Sequence, residues 1–303
     1  MSKPFFTGTC TALVTPFLEE KVNYPMMEQL LRRQYDAGIH TVVICGTTGE
    51  SATLTDSEKL ELIRRAKNYV GSSMRIIAGT GSNSTEHAVR LSREAEISGA
   101  DAVLVVSPYY NKATDEGLIA HFSAVAQAVS IPVILYNVPS RTGLDIPVSV
   151  YKTLSGTPNI AGVKEASGSI AKVAEIIAAC GDSMPVWSGN DDMTVPVLSL
   201  GGCGVISVAS NVIPDLTDAM VQAGLDGDFD TAAAISSRIQ PLFKALFLEV
   251  NPIPVKEAMR IIGYDCGYCR LPLTEASDVT KKALKCIIAQ LKKQENFKEF
   301  TVC

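Results

Sequence analysis

IAGVKEASGSIAKVAEIIAACGDSMPVWSG, residues 160–189, carries in one stretch the unit that the chain repeats. Ile160 to Val163 form an unbroken apolar run, Ser169–Gly181 reads as an amphipathic helix, and a second apolar run follows at 184–189. Unbroken rather than alternating runs are expected for parallel strands covered on both faces. The anomaly is Lys164, with Glu165 beside it. A charge in a dry strand is costly unless it is paired, neutralised or used.

The same pattern extends in both directions. Strand candidates are 9–17, 41–46, 75–81, 101–107, 132–138, 160–166, 184–189 and 202–208. The helix after the first places Met27, Leu30, Leu31 and Tyr35 on one face and ends at Ala37-Gly38. The next opens with Thr55 and Glu58 in capping-box spacing and then presents Leu60, Ile63 and Ala66. Eight strand–helix units predict an α/β fold, a (β/α)8 TIM barrel. A doubly wound sheet is the alternative, but no G-x-G-x-x-G follows any strand. After 208 the strands stop, and about 215–299 reads as helices. The expected organisation is a catalytic barrel over 1–224 with a helical C-terminal extension over 225–303 packed on it.

Composition narrows the function. Of 303 residues, 47% are hydrophobic and 19% charged, enough for a large core. A net charge of −5 and the lack of any basic cluster argue against nucleic acid or an anionic membrane as partner. The opening MSKPFFTGTC lacks the apolar centre of a secretion signal, and the eight cysteines are scattered, which predicts a reducing, cytoplasmic setting. No apolar run reaches membrane-spanning length.

In a barrel the chemistry gathers at the C-terminal ends of the strands. Those ends here supply Thr11 and Thr15, the loop GTTGES (46–51), Tyr136 and Arg141 in YNVPSRTG, Lys164, SGNDD (188–192) and the segment after Ser207. GTTGES lacks the Gly-Lys-Ser/Thr ending of a phosphate loop, whereas paired threonine hydroxyls suit a small carboxylate. SGNDD could hold a divalent cation, but a helix N-cap is the stronger reading. CGYC (266–269) has no second cysteine pair and no histidine nearby, so no metal is expected. His40, His87 and His121 fall in or beside helical stretches and form no triad.

VKEA occurs twice, which isolates Lys164. At 255–258 it follows Pro252 and Pro254, predicting a first helical turn from which Lys256 reaches solvent. Lys164 has no such escape. Neighbours on a strand point to opposite faces, so an inward Lys164 leaves Glu165 facing the helices. One reading is a structural ion pair with another partner. The other is a desolvated amine that attacks a ketone to form an imine, with Tyr136 passing protons, the tandem threonines gripping a keto-acid carboxylate and Arg141 forking a second carboxylate.

These residues resemble the lysine-dependent pyruvate aldolases and lyases of the N-acetylneuraminate lyase superfamily, most closely the dihydrodipicolinate synthase family. The likeness runs nearly end to end through GTTGESATLT, AGTGSNST, SPYYNK, EGLIAHF, YNVPSRTG, GVKEASG, SGNDD, GVISV and NPIPVKEAM. It implies that Lys164 forms a Schiff base with pyruvate, whose enamine adds to L-aspartate 4-semialdehyde to give 4-hydroxy-tetrahydrodipicolinate on the diaminopimelate route to lysine. It further implies that Thr47, Thr48, Tyr136 and a neighbouring subunit's Tyr110 serve catalysis, and that Thr48 also grips pyruvate. Arg141 would take the semialdehyde carboxylate, and Ile206 and Gly189 would line the pyruvate pocket. A homotetramer and no cofactor are implied. A pyruvate aldolase for another aldehyde is the alternative, but Thr47-Thr48 and the arginine of PSRTG favour the synthase.

One departure concerns regulation. Lysine-inhibited relatives carry two histidines after GESATL and a glutamate after GTGxN. This chain has Asp56, Lys59 and His87 there, while Ser51, Ala52, Asn83 and Tyr109 are kept. Lys59 would repel the ammonium of lysine and His87 cannot act as a carboxylate, so inhibition by lysine is expected to be weak or absent.

Overall fold

In the computed structural model, which describes residues 4–294, the eight apolar runs close into a parallel barrel. The strands are β1 Gly8–Ala12, β2 Thr41–Ile44, β3 Arg75–Gly79, β4 Ala102–Val106, β5 Val133–Asn137, β6 Ile160–Glu165, β7 Val186–Ser188 and β8 Gly204–Ser207. Each pairs with the next, and β8 returns to β1. The intervening helices are α1 Tyr24–Asp36, α2 Asp56–Val70, α3 Thr85–Ile97, α4 Asp115–Ala128, α5 Val148–Leu154, α6 Ile170–Cys180, α7 Thr194–Ser199 and α8 Pro214–Leu225. This is the TIM barrel that the repeat implies.

Period-two alternation explains why the runs are apolar throughout. Val43, Ile77, Leu104, Ile134, Tyr136, Trp187 and Ile206 fill the inside of the barrel. Their neighbours Val42, Ile76, Val103, Val133, Val163 and Val205 pack outward under the helices. At the N-terminal end the Phe6 ring stacks on Trp187 at 4.7 Å, and Trp187 Nε1 donates to the Phe6 carbonyl. Gly162 makes room for that indole, since a Cβ there would lie 2.6 Å from Trp187 Cζ3 and 2.4 Å from the Pro185 carbonyl oxygen.

The first strand ends at Ala12, short of the expected Phe17. Phe17–Leu18 instead pairs antiparallel with Lys21–Val22. In α1 the fourth buried position is Gln34 and not Tyr35, which is exposed. The Gln34 amide stays dry because it accepts from Thr11 Oγ1 at 2.6 Å and donates to the Ser210 carbonyl. In α2 the capping box forms as expected, but the buried stripe runs Leu62, Ile63, Ala66, Val70, and Leu60 is only half-buried.

Three further helices follow the barrel: α9 Phe229–Ala245, α10 Ile253–Ile261 and α11 Asp278–Gln294. Helix α9 packs on α8, and α11 packs on both α9 and α10. Residues 295–299 of the expected last helix, and Cys303, lie outside the described residues. Among the described residues no helix is long and apolar enough to cross a membrane.

Candidate active site

Lys164 and Tyr136 are register partners across β6 and β5, so both side chains point into the barrel. The Lys164 Nζ lies 4.4 Å from the centre of the Tyr136 ring. The two residues are 5% and 6% exposed. A Cβ on Gly189 would stand 3.1 Å from Lys164 Cε and 2.6 Å from Ala166 Cβ, so the absence of a side chain there leaves space for the lysine stem.

Four lysines are buried among the described residues: Lys59, Lys164, Lys172 and Lys256. Three have carboxylate partners. Lys256 Nζ meets Glu50 at 2.7 Å, Lys59 lies 3.7 Å from Asp56, and Lys172 pairs with Asp145. No carboxylate among the described residues pairs with Lys164. The expectation that Lys256 reaches solvent is therefore corrected. Helix α10 turns it inward, where it also donates to the Tyr268 carbonyl and lies 4.3 Å from the Phe17 ring centre. What separates the two VKEA lysines is the partner, not the burial. The ion-pair reading fits Lys256 and finds no support at Lys164.

Glu165 faces the helices, as alternation requires. It accepts from the Asn137 side chain at 3.1 Å, the Tyr151 hydroxyl at 3.2 Å and the Ser167 backbone N–H at 2.7 Å. Asn137 also donates to Asp145, the partner of Lys172. Burial, with the Glu165 charge beside it, pushes the Tyr151 hydroxyl well above its ordinary pKa. This network locks β5 to β6 from behind and keeps Glu165 away from Lys164.

In SGNDD the side chain of Asn190 makes no capping hydrogen bond. Asp191 instead is buried and pins the end of β8, accepting from Ser207 Oγ at 2.5 Å and from the Val208 and Ala209 N–H groups at 3.0 Å. Burial raises its pKa, while these three donors pull the other way. No group of three or more His, Cys, Asp or Glu among the described residues is placed to hold a metal ion.

A cavity of about 580 Å³ opens at this end of the barrel, and Thr47, Tyr136, Arg141 and Asn251 are on its wall. Lys164, Thr48 and Ile206 are buried and, like Gly189, are not among its lining residues. Thr48 Oγ1 accepts from Asn251 Nδ2 at 3.0 Å. Tyr110 stands apart, 91% exposed and with a backbone φ of 71°. Among the described residues no hydrogen bond joins it to Thr48, which accepts from Asn251.

The same cavity extends over Ser51, Ala52, Asp56, Lys59, His87 and Tyr109, six of the seven residues of the expected effector site. The seventh, Asn83, accepts from Asn111 through its carbonyl. Asp56 bonds to His87 at 2.9 Å and to Arg90 at 2.6 Å. Burial works against its charge, yet the hydrogen bonds from Arg90 and His87 hold its carboxyl below the ordinary value. The Asp56 carboxylate is thus already shared by three basic side chains.

Sequence reasoning missed Asn251, Glu50 and Asp191. NPIPVKEAM offered only its prolines as a signal, and prolines mark a helix start without saying what the preceding asparagine touches.

Comparison with known proteins places the chain in a family. The model of the Dihydrodipicolinate synthetase family matches residues 5–291. A 4-hydroxy-tetrahydrodipicolinate synthase from Thermoanaerobacter sp. (strain X514) is 48% identical over 95% of this chain and 97% of its own. The crystal structure of dihydrodipicolinate synthase from Aquifex aeolicus superposes with a TM-score of 0.93 at 43% identity, covering 95% of this chain and 98% of that one. The chloride-inhibited enzyme from Acinetobacter baumannii, complexed with pyruvate, gives a TM-score of 0.93 at 37% identity, over 95% and 99% of the two chains. The chain belongs to the dihydrodipicolinate synthetase family.

Proposed function

We propose, for this member of the family, the condensation of pyruvate with L-aspartate 4-semialdehyde to 4-hydroxy-tetrahydrodipicolinate, a lyase reaction of lysine and diaminopimelate biosynthesis. The carrying observation is Lys164: a buried lysine with no carboxylate partner among the described residues, beside a tyrosine, under a cavity walled by Thr47 and Arg141.

In this reading the Lys164 amine attacks the ketone carbon of pyruvate, and loss of water gives the imine. A methyl proton leaves to give the enamine, whose carbon attacks the aldehyde. The amino group of the semialdehyde then closes on the imine carbon and expels the Lys164 amine. One water is released for each product formed. The protonated imine is itself the electron sink, so the proposal includes no cofactor. Tyr136 carries protons to and from the carbinolamine, Thr47 and Thr48 hold the pyruvate carboxylate, and Arg141 holds that of the aldehyde. Gly189 and the Ile206 backbone shape the pyruvate end. Tyr110, exposed in the single chain, joins the relay of a neighbouring subunit in a homotetramer, and the cytoplasm is the proposed setting.

A coupled assay tests the substrate assignment. Turnover with pyruvate and aspartate semialdehyde is expected to exceed that with N-acetylneuraminate or keto-deoxy sugar acids by orders of magnitude. Preference for either of those would overturn it.

A further inference from the structure

Asn251 lies between α9 and α10, remote in sequence from the tandem threonines, yet it joins both halves of the site. Its Nδ2 donates to Thr48 Oγ1 at 3.0 Å, and its backbone carbonyl accepts from Arg141 Nη2 at 3.1 Å. It is 4% exposed and reaches the cavity wall beside Tyr136. The segment that carries it is anchored to the GTTGES loop a second time. Lys256 pairs with Glu50, whose other oxygen accepts the Arg270 backbone N–H at 2.9 Å.

The polarity of the Asn251–Thr48 bond matters. A hydroxyl has one proton and two lone pairs, whereas an amide N–H can only donate. Asn251 therefore occupies a lone pair of Thr48 and leaves the Thr48 proton free. Among the described residues no hydrogen bond uses that proton.

We propose that Asn251 is a positioning residue for the reaction: it holds Thr48 Oγ1 as an acceptor on its C-terminal side, so that the Thr48 O–H donates toward the substrate and Tyr136. The inference rests on the functional reading above. Asn251 acts through Thr48 and touches no reacting atom.

Two variants of the full-length chain separate this role from space filling. Asn251→Asp nearly keeps the shape but, when ionised, only accepts, so the Thr48 proton turns toward it and away from substrate. Asn251→Ala removes the donor and lets the hydroxyl rotate. Loss of packing alone makes alanine the worse variant; loss of polarity makes aspartate the worse. A protonated aspartic acid can donate as the amide did, so its deficit shrinks as the pH falls.

The experiment measures kcat and KM for both substrates across pH, with melting temperature and the fraction of Lys164 trapped by borohydride and pyruvate. At alkaline pH, kcat of Asn251→Asp is expected to fall about ten- to hundredfold, the scale of one hydrogen bond to a charged or reacting group. Asn251→Ala is expected to lose less, and a Thr48→Val background to abolish the difference between them. An Asn251→Asp variant as active as wild type, an alanine variant worse at every pH, or losses that merely track the folded fraction would each overturn the inference while wild type still traps pyruvate. Absence of an adduct in wild type overturns the functional reading, and this inference with it.

Discussion

Lys164 and Tyr136 sit opposite each other on adjacent strands, with the amine nitrogen 4.4 Å from the centre of the phenol ring. The register of β5 on β6 sets this proximity, and the Glu165–Asn137–Tyr151 bonds behind the strands hold it. Removing the phenol oxygen leaves the ring and the packing. Tyr136→Phe is expected to lower kcat by about 10²–10⁴-fold, the usual worth of a general acid–base group, with the melting temperature little changed. Steady-state kinetics beside a thermal melt check this; activity within threefold of wild type would remove Tyr136 from the relay.

The buried Lys256–Glu50 pair predicts an asymmetry. Lys256→Met leaves the Glu50 carboxylate dry and unpaired, which costs about 3–5 kcal/mol, whereas Lys256→Met with Glu50→Gln recovers part of that loss. Denaturant titration of the two variants measures it. Equal stability of single and double variants would contradict the pairing.

Gly189→Ala brings a methyl group to 2.6 Å from Ala166 Cβ and 3.1 Å from Lys164 Cε. Overpacking of this kind costs about 1–3 kcal/mol. Here it also displaces the lysine, so imine formation is expected to slow more than the fold is weakened. Stopped-flow rates of pyruvate binding, set against the melting temperature, test that order.

His121 makes stability depend on pH. Burial holds its imidazole down at about 4, against an ordinary value of 6.5. Nδ1 lies 2.9 Å from Thr85 Oγ1, and Nε2 is buried with no hydrogen-bond partner among the described residues. The fold therefore favours the neutral ring, and the unfolded chain takes up the proton first as the pH falls. The contribution is fully present above about pH 6.5 and is lost progressively toward and below about pH 4, on the order of 3 kcal/mol in all. Melting curves from pH 7 to 4 are expected to fall more steeply for wild type than for His121→Asn; parallel curves would contradict this.

Lysine is expected to inhibit weakly or not at all. The Asp56 carboxylate, in the arm where Lys59 and His87 stand, is already bonded to His87 and Arg90. A steady-state assay with millimolar lysine decides the matter, and strong inhibition would overturn the expectation.

The barrel was legible because covered parallel strands leave unbroken apolar runs, and eight of them recur. Tyr35 and Leu60 were misplaced because helical periodicity ranks positions by hydrophobicity, and Gln34 wins its buried position through hydrogen bonds that no local pattern encodes. The reach of Lys256 to Glu50, of Asn251 to Thr48 and of Asp191 to the end of β8 depends on tertiary placement. Lys164 was legible for the opposite reason. Its local setting is wrong for a charge, and no carboxylate among the described residues pairs with it to put it right.

The most direct measurement is borohydride reduction of the protein with pyruvate, followed by peptide mass analysis. One stable pyruvate adduct is expected, on the peptide containing Lys164, absent in Lys164→Met and undiminished in Lys256→Met when referred to folded protein. A pyruvate-dependent adduct on another lysine, or none in the active wild type, would contradict imine chemistry at Lys164.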